Sequence, residues 1–273
     1  MLPTLFLSHG SPMLALDQSP ARTFLEHLAE HLPKPDAIVI ASAHFYTGRP
    51  IVVGDADPGM IYDFGGFPRP LYEMVYDAPG DPVLATKVAG LIHAAGLAVG
   101  VAPERGYDHG TWIPLKLAYP AADIPVVQIS VQPAAGPAHH LALGKALSSL
   151  PAENILVIGS GSLTHNLHEI FRGPGGMRQL RAPVLPWVKS FSDWVNEKVQ
   201  KGAVDDLVNY RKKAPFAVEN HPTDEHFLPF FVALGAAGAG AKGELMHSSP
   251  EYGALMMDMY AFHPVETPAT VAA

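Results

Sequence analysis

The chain reads as α/β: one domain with a central, mostly parallel sheet flanked by helices and an active site at the carboxyl ends of the strands. Two observations predict this. Short, near-continuously apolar runs such as Asp36-Ala-Ile-Val-Ile-Ala-Ser42 and Asn154-Ile-Leu-Val-Ile-Gly159 alternate with helix-like segments, and such runs are typical of strands buried on both faces, as parallel strands are. Charged residues make up only 16% of the chain while hydrophobic residues reach 48%, against roughly 25% charged in an average soluble domain, so a large share must be buried.

Taken in order, Leu2 to Ser8 is a strand stopped by the turn His9-Gly-Ser-Pro12. Ser19 to His31 places Phe24, Leu25 and Leu28 on one helical face. Asp36 to Ser42 is the second strand, ending at Ala43-His44, and Ile51 to Val53 a third. From Asp57 to Pro79 no period is visible. This aromatic, Pro/Gly-rich stretch, with Asp63-Phe-Gly-Gly-Phe-Pro68 inside it, reads as a packed lid. A helix over Pro82 to Ala95 follows, then strands at Ala98 to Ala102 and Ile124 to Val131, a helix over Ala138 to Leu150 and a strand at Asn154 to Gly159. The remainder reads as helices at Trp187 to Gln200, Val204 to Lys212 and Glu225 to Ala236, with a last strand at Met256 to Phe262. No linker composition or repeat interrupts residues 1–273, so a single catalytic domain is expected.

Composition excludes several functions. There is no cysteine, so disulfide frameworks, iron–sulfur clusters and thiol nucleophiles are out, and histidine and carboxylates are the available metal ligands. A net charge of −8 does not suit a binder of phosphate backbones, so no nucleic-acid partner is expected. No apolar run approaches the ~18–20 residues of a membrane span, and the amino terminus lacks the basic flank of a signal peptide. A cytoplasmic protein without a membrane partner is the expectation, with self-association left open.

Of the 14 histidines, three stand at strand ends: His9, His44 and His165. Ligands of open α/β sheets bind there. One such histidine is usually structural, but three in the same topological position point to a metal site, and imidazole suits zinc, copper, iron and nickel. Glu219-Asn-His-Pro-Thr-Asp-Glu-His226 offers two further candidates. Thr223 reads as a helix N-cap, which leaves His221 in an extended lead-in and His226 on the helix, and slightly favours His226. Tyr107-Asp-His-Gly-Thr-Trp112 places His109 on a loop, where Asp108-His109 reads equally as an oriented acid–base pair or as a turn. The remaining eight histidines are assigned to the surface. Gly159-Ser-Gly-Ser-Leu163 fits neither a phosphate loop nor a nucleophile elbow, and no H-E-x-x-H is present.

Together, Ser8-His-Gly-Ser-Pro12, Ser42-Ala-His-Phe45, His109-Gly-Thr-Trp112, Ser162-Leu-Thr-His-Asn166 and Pro222-Thr-Asp-Glu-His226 resemble the class III (LigB-type) extradiol ring-cleavage dioxygenases, most closely their DOPA 4,5-dioxygenase-like branch. The resemblance implies a mononuclear non-haem iron(II) enzyme that opens a catechol ring beside its two hydroxyls, with O2 as co-substrate. Carried over, His9, His44 and His226 would be the metal ligands, His165 the acid–base histidine and His109 a second histidine near the substrate. The better-known protocatechuate-cleaving branch uses two histidines and a glutamate, whereas the third ligand position here is His226, with Glu225 beside it. An all-histidine site would also take Zn(2+) readily. Two other readings use the same residues: a zinc-dependent hydrolase, and a non-catalytic Memo-like binding protein, which would have no need of His165 and His109 as proton carriers.

Overall fold

In the computed structural model, which describes residues 1–173 and 175–265, one eight-stranded sheet organises the chain. The strands in chain order are β1 (Thr4–Ser8), β2 (Ala37–Tyr46), β3 (Ile51–Val53), β4 (Gly100–Ala102), β5 (Val126–Val131), β6 (Ile155–Gly161), β7 (Lys242–His247), a two-residue pair β8 (Pro250–Glu251) and β9 (Leu255–Met256), and β10 (Met259–His263). In space the sheet runs β4-β3-β5-β2-β6-β1-β10-β7. The central strands β5, β2, β6 and β1 are mutually parallel; β10 and β7 on one edge, and the junction of β3 with β5, are antiparallel. The expected α/β single-domain fold is present over the described residues, and 266–273 lie outside them.

Alternation within the strands explains the layers. Leu5, Leu7, Ile38, Ile40, Leu156 and Ile158 face one side, where they pack with Ala21 and Leu25 of the helix Pro20–Glu26 and with Trp112 and Leu115 of the helix His109–Ala118. Their neighbours Val39, Ala41, Val127 and Val157 face the other, against the helices Pro82–Ala94, Gly136–Ala146 and Leu228–Ala236. A third apolar group, rich in Phe, joins Phe6, Tyr260 and Phe262 to Phe230, Phe231 and the helix Pro186–Gln200. Gly159 lets the helix Leu228–Ala236 lie directly on β6, since a Cβ there would sit 2.0 Å from the Pro229 carbonyl oxygen.

Several elements depart from the sequence reading. The helix expected over Ser19 to His31 breaks at His27, with a 3-10 turn at Leu28–His31. Val204 to Lys212 splits into Val204–Val208 and Tyr210–Lys213. The expected last strand is divided between β9 and β10. The helix expected from Glu225 begins at Leu228, so His226 sits in the turn before it. His109 is not on a loop: it opens the helix His109–Ala118, with Asp108 as N-cap accepting from Thr111 N at 3.2 Å. That helix is buried on nearly every side and contains Pro114, so it shows none of the polar-face period by which an amphipathic helix is recognised.

Candidate metal centre

Register sets the site. Ser8 of β1 pairs with Gly161 of β6, and Ser42 of β2 pairs with Ser160 of β6, so the three strands end level. His9 leaves β1 at that level, its N–H donating to the Gly161 carbonyl at 2.9 Å. β2 runs on past a bulge after Ser42, which places His44 inside the strand's last turn of pleat, not beyond its end. Ser162 N–H donates to the His226 carbonyl at 2.9 Å, and a Cβ on Gly161 would lie 2.1 Å from that same oxygen. Glycine at 161 is what admits the His226 turn to the sheet edge.

The result is a convergence of three imidazoles. His9 Nε2 lies 3.0 Å from His44 Nε2, and His226 Nε2 lies 3.3 Å from the same atom. Each ring's Nδ1 has an outer partner. His9 Nδ1 is 2.9 Å from Ser160 Oγ, whose own hydrogen is donated to the Gly110 carbonyl. Ser160 can therefore only accept from His9, which fixes the hydrogen on Nδ1 and leaves the Nε2 lone pair free. Glu225 Oε1, 3.2 Å from His226 Nδ1, imposes the same tautomer there, and the Asp63 carboxylate, with Oδ2 3.5 Å from His44 Nδ1, favours it electrostatically on His44. Three acceptor nitrogens then face one another with no donor among them, an arrangement that a cation satisfies, and their ligand atoms all lie within 4.8 Å.

Burial keeps these rings neutral. His9 and His226 are held well below the usual histidine range by burial first and by the neighbouring imidazoles second. His44 is brought down to about 3 by burial and by His109. Neutral imidazole is the form that binds a metal, so the set is ready at neutral pH.

Two further histidines flank the three. The His109 ring centroid is 3.9 Å from that of His44, and its backbone N–H donates to Asp63 Oδ1 at 2.9 Å. Asp63 Oδ1 is also 2.9 Å from His109 Nδ1. Burial would raise the Asp63 carboxyl, but the adjacent His109 imidazole and its backbone N–H prevail and bring it to about 2. On the other side, His165 stacks on His226 with ring centroids 3.4 Å apart, held there by its N–H bond to the Asn220 carbonyl. Burial and the neighbouring His109 bring His165 to about 4.

A cavity of about 840 Å³ opens onto His44, His226, His109 and His165, while His9 lies beneath, 1% exposed. The Asp57–Pro79 segment forms one wall as expected of a lid, with Phe64 edge-on to His109 at 5.7 Å and packed against Phe67 and Tyr72. Gly110 belongs to the site as well. A Cβ on it would meet Ser42 Oγ at 2.7 Å and the rings of His44 and His9 at 3.0 and 3.1 Å.

Five of the six histidines singled out in the sequence therefore meet at one place. His221 does not join them, and it is not a free side chain in an extended lead-in. It is fully buried, its Nε2 2.8 Å from the Leu163 carbonyl and its ring stacked on Phe227, and it pins the loop that carries His165. His140, assigned to the surface, is also fully buried, with Nε2 accepting from Gln132 N–H. The outer partners Asp63, Ser160 and Glu225 were not recognised as such in the sequence. Asp63 is 46 residues from His109 and Ser160 is 151 from His9, with no local signal beyond a lone carboxylate in an aromatic loop, whereas Glu225 stands next to His226 in the sequence.

Fold and site define a class: an α/β protein with a histidine-rich candidate metal centre at the strand ends of its sheet. The chain belongs to the family described as the catalytic LigB subunit of aromatic ring-opening dioxygenase, which matches residues 3–262. It is 42% identical over 263 residues to a 4,5-DOPA dioxygenase extradiol from Beta vulgaris, covering 95% of this chain and 96% of that one. A 4,5-DOPA dioxygenase extradiol from Escherichia coli K12 is 38% identical over 86% of this chain and 85% of its own. The crystal structure of an uncharacterized Escherichia coli K12 protein superposes with a TM-score of 0.78 at 32% identity, covering 96% of this chain and 99% of that one.

Proposed function

We propose that this protein is an extradiol dioxygenase that opens the ring of a DOPA-like catechol with O2, at one divalent metal held by His9, His44 and His226. The observation that carries the reading is the convergence of three neutral imidazole nitrogens, each oriented from behind, in the wall of an aromatic-lined cavity. The relatives named for 4,5-DOPA cleavage support the substrate class. Fe(2+) is the expected catalytic ion, because joining O2 to an aromatic ring requires a metal that exchanges electrons with both, and Zn(2+) would fill the same ligands without doing so.

The chain's own residues supply the rest. A catechol bound through its two oxygens gives up protons, and both atoms of O2 end in the ring-opened product, a carboxylate and an aldehyde, so protons have to be taken and returned beside the metal. His165 stacks on His226, His109 lies against His44, and both line the cavity. Burial holds His165 neutral, so it is available as the base at physiological pH. His109, whose backbone N–H is bonded to Asp63 and whose ring lies beside that carboxylate, serves as the second proton carrier. Phe64 and the rest of the aromatic wall exclude water and pack on the ring.

Anaerobic reconstitution with Fe(II), followed by O2 uptake on a panel of catechols, tests the reading. One O2 consumed per catechol, with a yellow ring-opened semialdehyde, is expected from the iron form and nothing from the zinc form. Equal turnover by both forms would overturn it in favour of hydrolysis. No helix among the described residues is long and apolar enough to cross a membrane.

A further inference from the structure

Apart from its histidines, the cavity wall is dominated by apolar side chains, and only two residues lining it carry fixed charge: Asp17 and Arg178. Asp17 follows the 3-10 turn after β1, and its Oδ2 accepts from the Tyr252 hydroxyl at 3.0 Å. Among the described residues no Lys or Arg forms an ion pair with it. Behind it Glu251 is buried, with Oε1 lacking any hydrogen-bond partner, and burial together with the Asp17 charge pushes its carboxyl up. This corner of the wall is short of a cation. Arg178 is held by Nε, which donates to the Glu169 carbonyl at 2.8 Å, while Nη2 lies 3.8 Å from Glu169 Oε2. Its Nη1 makes no hydrogen bond among the described residues and remains available to an anion.

We infer that the outer part of the cavity is a subsite for a zwitterionic α-amino acid head, with Asp17 taking the ammonium and Arg178 the carboxylate of a catechol whose ring lies at the histidines. This rests on the catechol reading above and assigns the residues that select within it. The physical ground is the scarcity of charge. In an apolar wall a single carboxylate and a single guanidinium act with little screening, and each discriminates strongly between a ligand that pairs with it and one that does not. Met13, Phe64, Leu180 and Leu255 in the same wall suit the ring and the methylene between ring and head group.

Four ligands separate the two charges: L-DOPA carries both, dopamine the ammonium alone, 3,4-dihydroxyphenylpropionate the carboxylate alone, and 4-methylcatechol neither. Binding is measured by calorimetry on the zinc-loaded protein under nitrogen, which needs no turnover. Relative to 4-methylcatechol, Asp17→Asn is expected to weaken L-DOPA and dopamine about tenfold and to spare the propionate, a size typical of one charge-assisted hydrogen bond. Arg178→Gln is expected to weaken L-DOPA and the propionate and to spare dopamine. Asp17→Lys should reverse the order of dopamine and the propionate, provided circular dichroism shows the fold intact. Variants that weaken all four ligands equally, or none, overturn the subsite. O2 uptake by the iron form with 4-methylcatechol, run in parallel, separates the two claims. A protein that shows the charge pattern without consuming O2 keeps the subsite and loses the dioxygenase, and one that consumes O2 while its variants bind all four ligands alike does the reverse.

Discussion

The two walls of the cavity are built differently. The inner wall stands on three strand ends stitched by backbone bonds, and its polar side chains are almost all buried and partnered: Ser8 to the Asp258 carbonyl, Ser42 to Asp108, Ser160 to Gly110 and His9. The outer wall, from the short helix Leu167–Ile170 to Leu180, exposes Phe171 at 64% and Met177 at 48%, and its bonds among the described residues run mostly within the segment, as Arg178 N–H to the Ile170 carbonyl does. Groups that hold a metal must be fixed to a fraction of an ångström, and a packed sheet edge supplies that. Groups that choose a substrate tolerate looser placement, and loops supply variety at low structural cost. Changes in the inner wall should therefore alter metal content and rate, and changes in the outer wall affinity alone.

The largest effect expected is loss of the metal. His9→Ala, His44→Ala and His226→Ala should each purify without it under conditions that load the wild type, as read by elemental analysis, and activity should vanish with it. His221→Ala tests the division from the other side: it removes the bond to Leu163 and should lower thermal stability while metal still binds. If His221→Ala lost the metal and His226→Ala kept it, the ligand would be the wrong one of the two.

Next in size is His165. General acid–base groups contribute about 10²–10⁴-fold in rate, so His165→Ala should turn over that much more slowly while retaining iron and still binding catechol, seen as a charge-transfer band. Its ring lies flat on His226, close enough that the opposite result is informative. A variant that arrives without metal would make His165 a ligand and leave His109 as the proton carrier.

How much of this was legible follows from where each signal lies in the chain. The central strands were legible because Ile38–Val39–Ile40 and Leu156–Val157–Ile158 are apolar on both faces, and His9, His44 and His165 because each follows such a run. The helix His109–Ala118 was not, because its burial erases the periodic pattern and Pro114 reads as a breaker. Nor was β7, an edge strand whose residues Lys242, Glu244 and His247 are polar. Glu225 adjoins His226 in sequence, but Asp63 behind His44 and Ser160 behind His9 are tertiary contacts, and no local pattern announces them. Asp63 is the clearest case. Partners of this kind typically contribute 10–100-fold to metal affinity or activity, so Asp63→Asn should fall in that range, measured as zinc affinity by chelator competition and as turnover of the iron form. No change in either would show that His44 and His109 need no carboxylate behind them.

The smallest expected effect concerns Pro114, and it tests how far the rigidity of the inner wall extends. Proline has no N–H to offer the carbonyl four residues earlier, and its ring pushes that carbonyl aside. The carbonyl in question is that of Gly110, which accepts from Ser160 Oγ, and Ser160 in turn receives the His9 Nδ1 hydrogen. A helix-breaking residue thus leaves a carbonyl free to orient a ligand two bonds away. Ser160→Ala removes the His9 partner outright and should weaken zinc about tenfold. Pro114→Ala restores a competing donor to Gly110 without removing Ser160, and a carbonyl has two lone pairs, so zinc affinity should fall only about two- to threefold, within the range of one shared hydrogen bond. The same substitution relieves a buried proline inside a helix and should raise the melting temperature of the metal-free protein. Opposite signs in the two measurements are the expected signature. If zinc affinity falls in Ser160→Ala and stays level in Pro114→Ala, the orienting contact ends at Ser160 and the proline serves the helix alone.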